Sequence, residues 1–141
     1  MLKSRRIISL ILTMMLTMII GSACGAKTEE VKRVKDLEYT VVEEADIPEE
    51  LLTIINEKKA SPFKLTFDSS GKEYLYIVVG YGAQNTGGYS IQVEDLFLST
   101  NAIYFDTNLI GPGKEEAVIT VTTYPYIVVK TEYMDKKVVF Q

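Results

Sequence analysis

Apolar positions follow three regimes along this chain. A mostly apolar run from Ile7 to Ile20 comes first, a stretch at helical spacing from Asp46 to Lys59 second, and short blocks at strand spacing fill the chain from Phe63 onward. In the second regime Ile47, Leu51, Ile54 and Ile55 share one face with Leu52 beside them, opposite Glu50, Glu57 and Lys58, which predicts an amphipathic helix packed on a core. Asp46 is placed to cap its free amides with Glu49 returning the bond, Pro48 sits in the first turn, and Ser61-Pro62 ends the element. The third regime predicts strands over residues 63–67, 73–81, 89–98, 103–110, 118–123, 126–133 and 138–140, after a first short strand at 37–42. Turn residues separate them, among them Ser70-Gly71, Thr100-Asn101, Gly111-Pro112-Gly113 and Asp135-Lys136. Tyr89, Ile91 and Val93 alternate with Ser90, Gln92 and Glu94, a strand with one wet face. Tyr74 to Val79 is apolar on both faces and belongs in the middle of a sheet. The expectation is a mainly β (α+β) fold: an antiparallel sheet or sandwich of about seven strands with one packed helix.

The first regime has a different meaning. Lys3, Arg5 and Arg6 precede the apolar run, and Gly21-Ser22-Ala23 follows it, the three-part order of a signal peptide spanning residues 1–23. A membrane-spanning helix needs about 20 apolar residues, and this run is shorter. Directly after the small residues stands Cys24, the one cysteine of the chain, and the segment resembles the lipobox of bacterial lipoproteins, although Gly21 stands where leucine is usual. That resemblance implies a diacylglycerol on the Cys24 thiol, palmitate among its acyl chains, and a protein held on the outer face of the bacterial cell membrane. Gly21 and Ala23 also suit an ordinary signal peptidase, which leaves secretion as the alternative. Residues 24–36, polar and without sustained periodicity, are expected to form the lipidated end and a flexible tether to a domain over 37–141.

Without residues 1–23 the chain carries 12 basic against 19 acidic residues, a net charge of −7. Such a domain is a poor partner for nucleic acid or for anionic lipid headgroups, so no nucleic-acid partner is expected. One cysteine permits no internal disulfide, and about 105 residues suffice for one core. There is no histidine, which excludes Ser-His-Asp and Cys-His catalysis; no enzyme activity, metal or cofactor is expected. The pairs Glu43-Glu44, Glu49-Glu50 and Glu115-Glu116 read as solvated charge rather than acid/base pairs, because adjacent residues diverge on a regular element. Gly111-Pro112-Gly113-Lys114 lacks the spacing of a phosphate loop and reads as a turn.

One segment invites a functional reading. Gly80 to Ile91 joins the central strand to the next with four glycines, and the pair Gly87-Gly88 permits positive φ and close backbone approach. The segment is either a specially shaped corner or a partner-binding loop presenting Gln84, Asn85, Thr86, Gly87, Gly88 and Tyr89.

Residues Gly82 to Ile91, the later Gly111-Pro112-Gly113, and Thr123 to Lys130 with its Tyr124-Pro125-Tyr126 resemble in order the landmarks of the PrcB C-terminal domain family. The resemblance covers about residues 60–131. It implies a non-catalytic protein-binding domain, an accessory subunit of a surface protease complex, with a protease as partner. Asn85 to Tyr89 is also similar to the inhibitory loop of chagasin-like cysteine-protease inhibitors, without its proline and with Gly87 at a threonine position. Direct inhibition is the second expectation, and an envelope- or carbohydrate-binding module the third.

Overall fold

A computed structural model describes residues 30–141. The expected signal peptide and Cys24 lie outside the described residues. Among the described residues the elements run β1 (Arg33–Asp36), β2 (Thr40–Val41), a 3-10 turn (Glu44–Asp46), α1 (Glu49–Lys58), β3 (Pro62–Asp68), β4 (Tyr74–Tyr81), β5 (Ser90–Ser99), β6 (Ile103–Ile110), β7 (Tyr126–Glu132) and β8 (Val138–Phe140). They form two four-stranded sheets, ordered β1-β5-β6-β8 and β2-β7-β4-β3. Every pairing is antiparallel except β6 with β8, which is parallel because the chain crosses from one sheet to the other after β7.

Strand alternation builds the core. Leu75, Ile77 and Val79 of β4, with Ile127 and Val129 of β7, meet Leu96 of β5 and Ile103 and Phe105 of β6 between the sheets. The other face of β4 supplies Tyr76 and Val78, which pack with Val128 against Ile47, Leu51 and Ile55 from the helical region. Both faces of β4 are therefore covered, as its doubly apolar sequence predicts, and it lies between β3 and β7. Tyr81 places a polar tie between the sheets, its hydroxyl 2.7 Å from Thr107 Oγ1.

Four boundaries differ from the sequence expectation, each for a physical reason. The stretch expected to be tether ends earlier, because Arg33–Asp36 pairs with β5. Arg33 grips Asp95 with both terminal nitrogens, at 2.9 and 2.5 Å, holds Asp36 through Nε at 2.7 Å, and lies 4.2 Å over the Phe97 ring. The expected strand at 37–42 contracts to Thr40–Val41, since the chain is changing sheets: Leu37 still donates to Leu96 O while Val42 donates to Val128 O. The helix begins at Glu49 rather than Asp46, and no side chain caps it. Proline disfavours helical backbone in the residue before it, and Ile47 is accordingly extended (φ −71°, ψ 130°), so Asp46 is left in the 3-10 turn. Residues 118–123 form no strand; their one bridge joins Thr123 to Gln84.

Candidate functional site: two loops at one pole of the sandwich

Strand direction decides which loops meet. β4 and β6 run toward the same end of the sandwich, and from there the chain returns through Gly82–Tyr89 into β5 and through Gly111–Pro125 into β7. The two connections lie against each other and are joined mostly by backbone. Gln84 and Thr123 exchange both of their backbone hydrogen bonds, at 2.8 and 2.9 Å. Gly87 N–H donates to Ile119 O at 2.9 Å, and the Thr123 hydroxyl donates to Thr86 O at 2.7 Å.

Two glycines hold positions that side chains would strain. Gly82 (φ +75°) abuts Pro62, and Gly88 (φ +84°) has Pro112 and Val118 where a Cβ would lie 3.0 Å from each. Gly87 has ordinary backbone and open surroundings, so of the pair singled out in the sequence only Gly88 uses its freedom. Gly111 lies beneath the Tyr89 ring, which a Cβ there would meet at 3.4 Å.

The residues expected to face a partner thus divide. Gln84, Thr86 and Tyr89 are half-buried in the corner, and Gln84 Nε2 also donates to Tyr81 O at 3.3 Å. Asn85 is exposed. Tyr124 is exposed with Lys59 Nζ 5.6 Å from its ring centre, and Pro125 O accepts from Tyr81 N–H at 3.0 Å. Tyr126 donates its hydroxyl to Glu44 Oε2 at 3.2 Å. Burial and the neighbouring Glu44 charge both oppose an anionic phenolate, and push Tyr126 up to about 12.

What sequence reasoning missed is the apolar face of the second loop. Ile119 is 75% exposed and Val121 51%, and Ile110, Val118 and Tyr124 are exposed beside them in sequence or at the same pole. No residue from Ala117 to Tyr124 is charged. The β-branched run suggested a strand with a buried face, whereas it is an extended loop edge with its side chains in solvent. Nearby, Glu116 Oε2 accepts from Gly113 N–H at 3.0 Å and closes the glycine-proline turn. Among the described residues no group of three or more His, Cys, Asp or Glu is placed to hold a metal ion.

Residues 75–132 match the PrcB C-terminal family. The match runs from β4 through β7 and contains both contacting loops, so the segment similar to that family is the part of the chain that builds this pole. Comparison with curated proteins gives no match, and neither does comparison with solved structures. All three landmarks noticed in the sequence meet here: Gly82 to Ile91, Gly111-Pro112-Gly113 and the Thr123 to Tyr126 stretch touch one another through the contacts above.

Proposed function

We propose that this chain is an envelope lipoprotein, anchored through Cys24, whose PrcB C-terminal segment binds a protein partner without catalysing a reaction. The partner class suggested by the family is a surface protease, which the domain would assist as an accessory subunit. The observation that carries the reading is the pairing of a braced corner with an uncharged apolar edge. Backbone bonds across the two loops, with glycine at the positions of positive φ, hold the loops in one shape, so little conformational entropy remains to be lost on binding. Ile119 and Val121 stand out of that shape into water, at a cost that a partner covering them would relieve.

Crosslinking in intact cells followed by capture of the protein tests the reading. Wild type is expected to retain a protease-containing complex that Ile119→Asp and Val121→Asp each lose, with unchanged thermal unfolding. A complex that survives both substitutions overturns the assignment of this edge. Capture of envelope polysaccharide, or loss of papain-like proteolysis on mixing, would replace accessory binding by the other two readings.

A further inference from the structure

The sheet edges among the described residues are short with one exception. β1, β2 and β8 present four, two and three residues, whereas β3 presents seven, from Pro62 to Asp68, and pairs with β4 alone. Which backbone groups of β3 face outward follows from the ladder. Ser69 N–H donates to Tyr74 O at the β3–β4 turn, while Tyr81 N–H donates the other way, to Pro125 O, so the even-numbered residues of β4 bond to β3 and the odd-numbered ones to β7. In that register Phe63, Leu65 and Phe67 direct their backbone groups to β4, and Lys64, Thr66 and Asp68 direct theirs out of the sheet. No backbone group of the described residues meets them there. An open row of donors and acceptors of this length is a template for another strand.

We propose that β3 pairs antiparallel with β3 of a second copy of this chain, about a two-fold axis at Thr66, and so joins two four-stranded sheets into one continuous sheet. The edge is complementary to itself in charge. With Thr66 opposite Thr66 of the partner subunit, Lys64 falls opposite Asp68 of the partner subunit, and Asp68 opposite Lys64 of the partner subunit. Lys64 and Asp68 are the only charged residues from Ala60 to Gly71, and both are exposed. Neither forms a salt bridge within the described chain: Lys64 has the Phe140 ring 5.7 Å away, and Asp68 feels Lys72 without pairing to it. Other symmetric registers lose the match. Centring the axis on Lys64 or Asp68 sets like charges opposite each other, and centring it on Leu65 or Phe67 sets each charge opposite threonine, proline or serine. A lysine on an edge strand ordinarily discourages pairing; here the same strand carries the opposite charge at the matching distance from the axis.

The face of β3 beneath α1 agrees with the same register. Phe63, Leu65 and Phe67 pack into the cluster under the helix yet remain only half-buried. With the axis at Thr66, Leu65 lies opposite Phe67 of the partner subunit, so the apolar row continues across the junction instead of ending in water. The exposed Ile119 edge plays no part in this pairing.

A two-fold axis at Thr66 brings the two copies of that residue to about 5.5 Å between Cα atoms, within reach of a disulfide. The full-length Thr66→Cys chain is oxidised mildly in intact cells and separated without reductant, with the wild-type chain, whose one cysteine is Cys24, setting the background. Thr66→Cys is expected to give a crosslinked dimer severalfold above that background. Lys64→Cys should stay at background, because its two copies lie four residues apart along the strands, roughly 13 Å and beyond disulfide reach. Adding Lys64→Asp to Thr66→Cys is expected to remove the crosslink, and adding Asp68→Lys as well to restore it, with thermal unfolding showing each variant folded. A folded Thr66→Cys chain that stays at background, equal crosslinking from Lys64→Cys, or a crosslink that ignores the charge reversals overturns the pairing. Crosslinking of Thr66→Cys to a different protein also overturns it, and gives the edge to that protein's strand.

Discussion

At Gly88, φ is +84° and the absent Cβ would sit 3.0 Å from both Pro112 and Val118. Gly88→Val is expected to destabilise the domain by about 1–3 kcal/mol through backbone strain, and Gly87→Val to stay within about 0.5 kcal/mol, both measured by urea unfolding. Comparable losses would mean that the glycine pair acts as one unit. The sequence could mark both residues as permissive, but could not say which one uses the freedom. That choice depends on Pro112 and Val118, more than 20 residues away, arriving against Gly88 alone. Tyr126 was legible as a landmark and not as a titrating group, since Glu44 reaches it only because α1 folds back over the sheet. Its raised pKa fixes the sign of a pH effect. The protonated phenol is favoured in the folded state, so its stabilising contribution is complete below about pH 10 and is lost as pH rises through about 12. Ultraviolet difference titration should find a tyrosine ionising near pH 12 that moves down only in part in Glu44→Gln, because burial, the larger cause, remains.

Elements with a strong period were readable, and those decided by a single long-range contact were not. The helical stripe of Leu51 and Ile55 and the doubly apolar β4 are both found buried as their spacing requires. Leu51→Ala should cost about 2–5 kcal/mol, because Leu51 is fully buried against Tyr76, Val78 and Val128 and its removal leaves a cavity. Thermal unfolding checks it. β1 illustrates the opposite case: Arg33-Val34-Lys35-Asp36 has no strand pattern, and its strand is held by the grip of Arg33 on Asp95 and its stacking on Phe97. Arg33→Ala should raise the amide exchange rate of Leu37, whose N–H donates to Leu96 O just beyond the strand, while the amides of β4 remain protected. Unchanged exchange at Leu37 would show that backbone pairing alone secures β1. Residues 118–123 misled for a related reason. β-branched residues fit a pleated surface, but the sheet positions beside β7 are already filled by β2 and β4, and the run is left as a loop edge.

For the whole molecule, the proposed anchor at Cys24 and the proposed binding edge at Ile119 and Val121 belong to different parts of the chain, so that proposal makes location and binding independent properties. If Cys24 holds the chain by lipid and Ile119 and Val121 meet a partner, Cys24→Ala should move the protein from the membrane to the soluble extracytoplasmic fraction without unfolding it. No described residue that braces the corner depends on the anchor: Gln84, Thr86 and Gly87 bond to Thr123 and Ile119 within the domain itself. Circular dichroism of the released chain should remain dominated by β structure, and the chain should still capture the partner in solution. Capture from cells should nevertheless fall. Release replaces encounter within a thin layer at the membrane by encounter in bulk, and so lowers the effective concentration without altering any contact. Adding purified Cys24→Ala protein in excess should then restore the complex, while adding Cys24→Ala with Ile119→Asp should not. A released chain that binds no partner at any concentration would show that the anchor end contributes to recognition, and would move the interface from the loop pole toward β1.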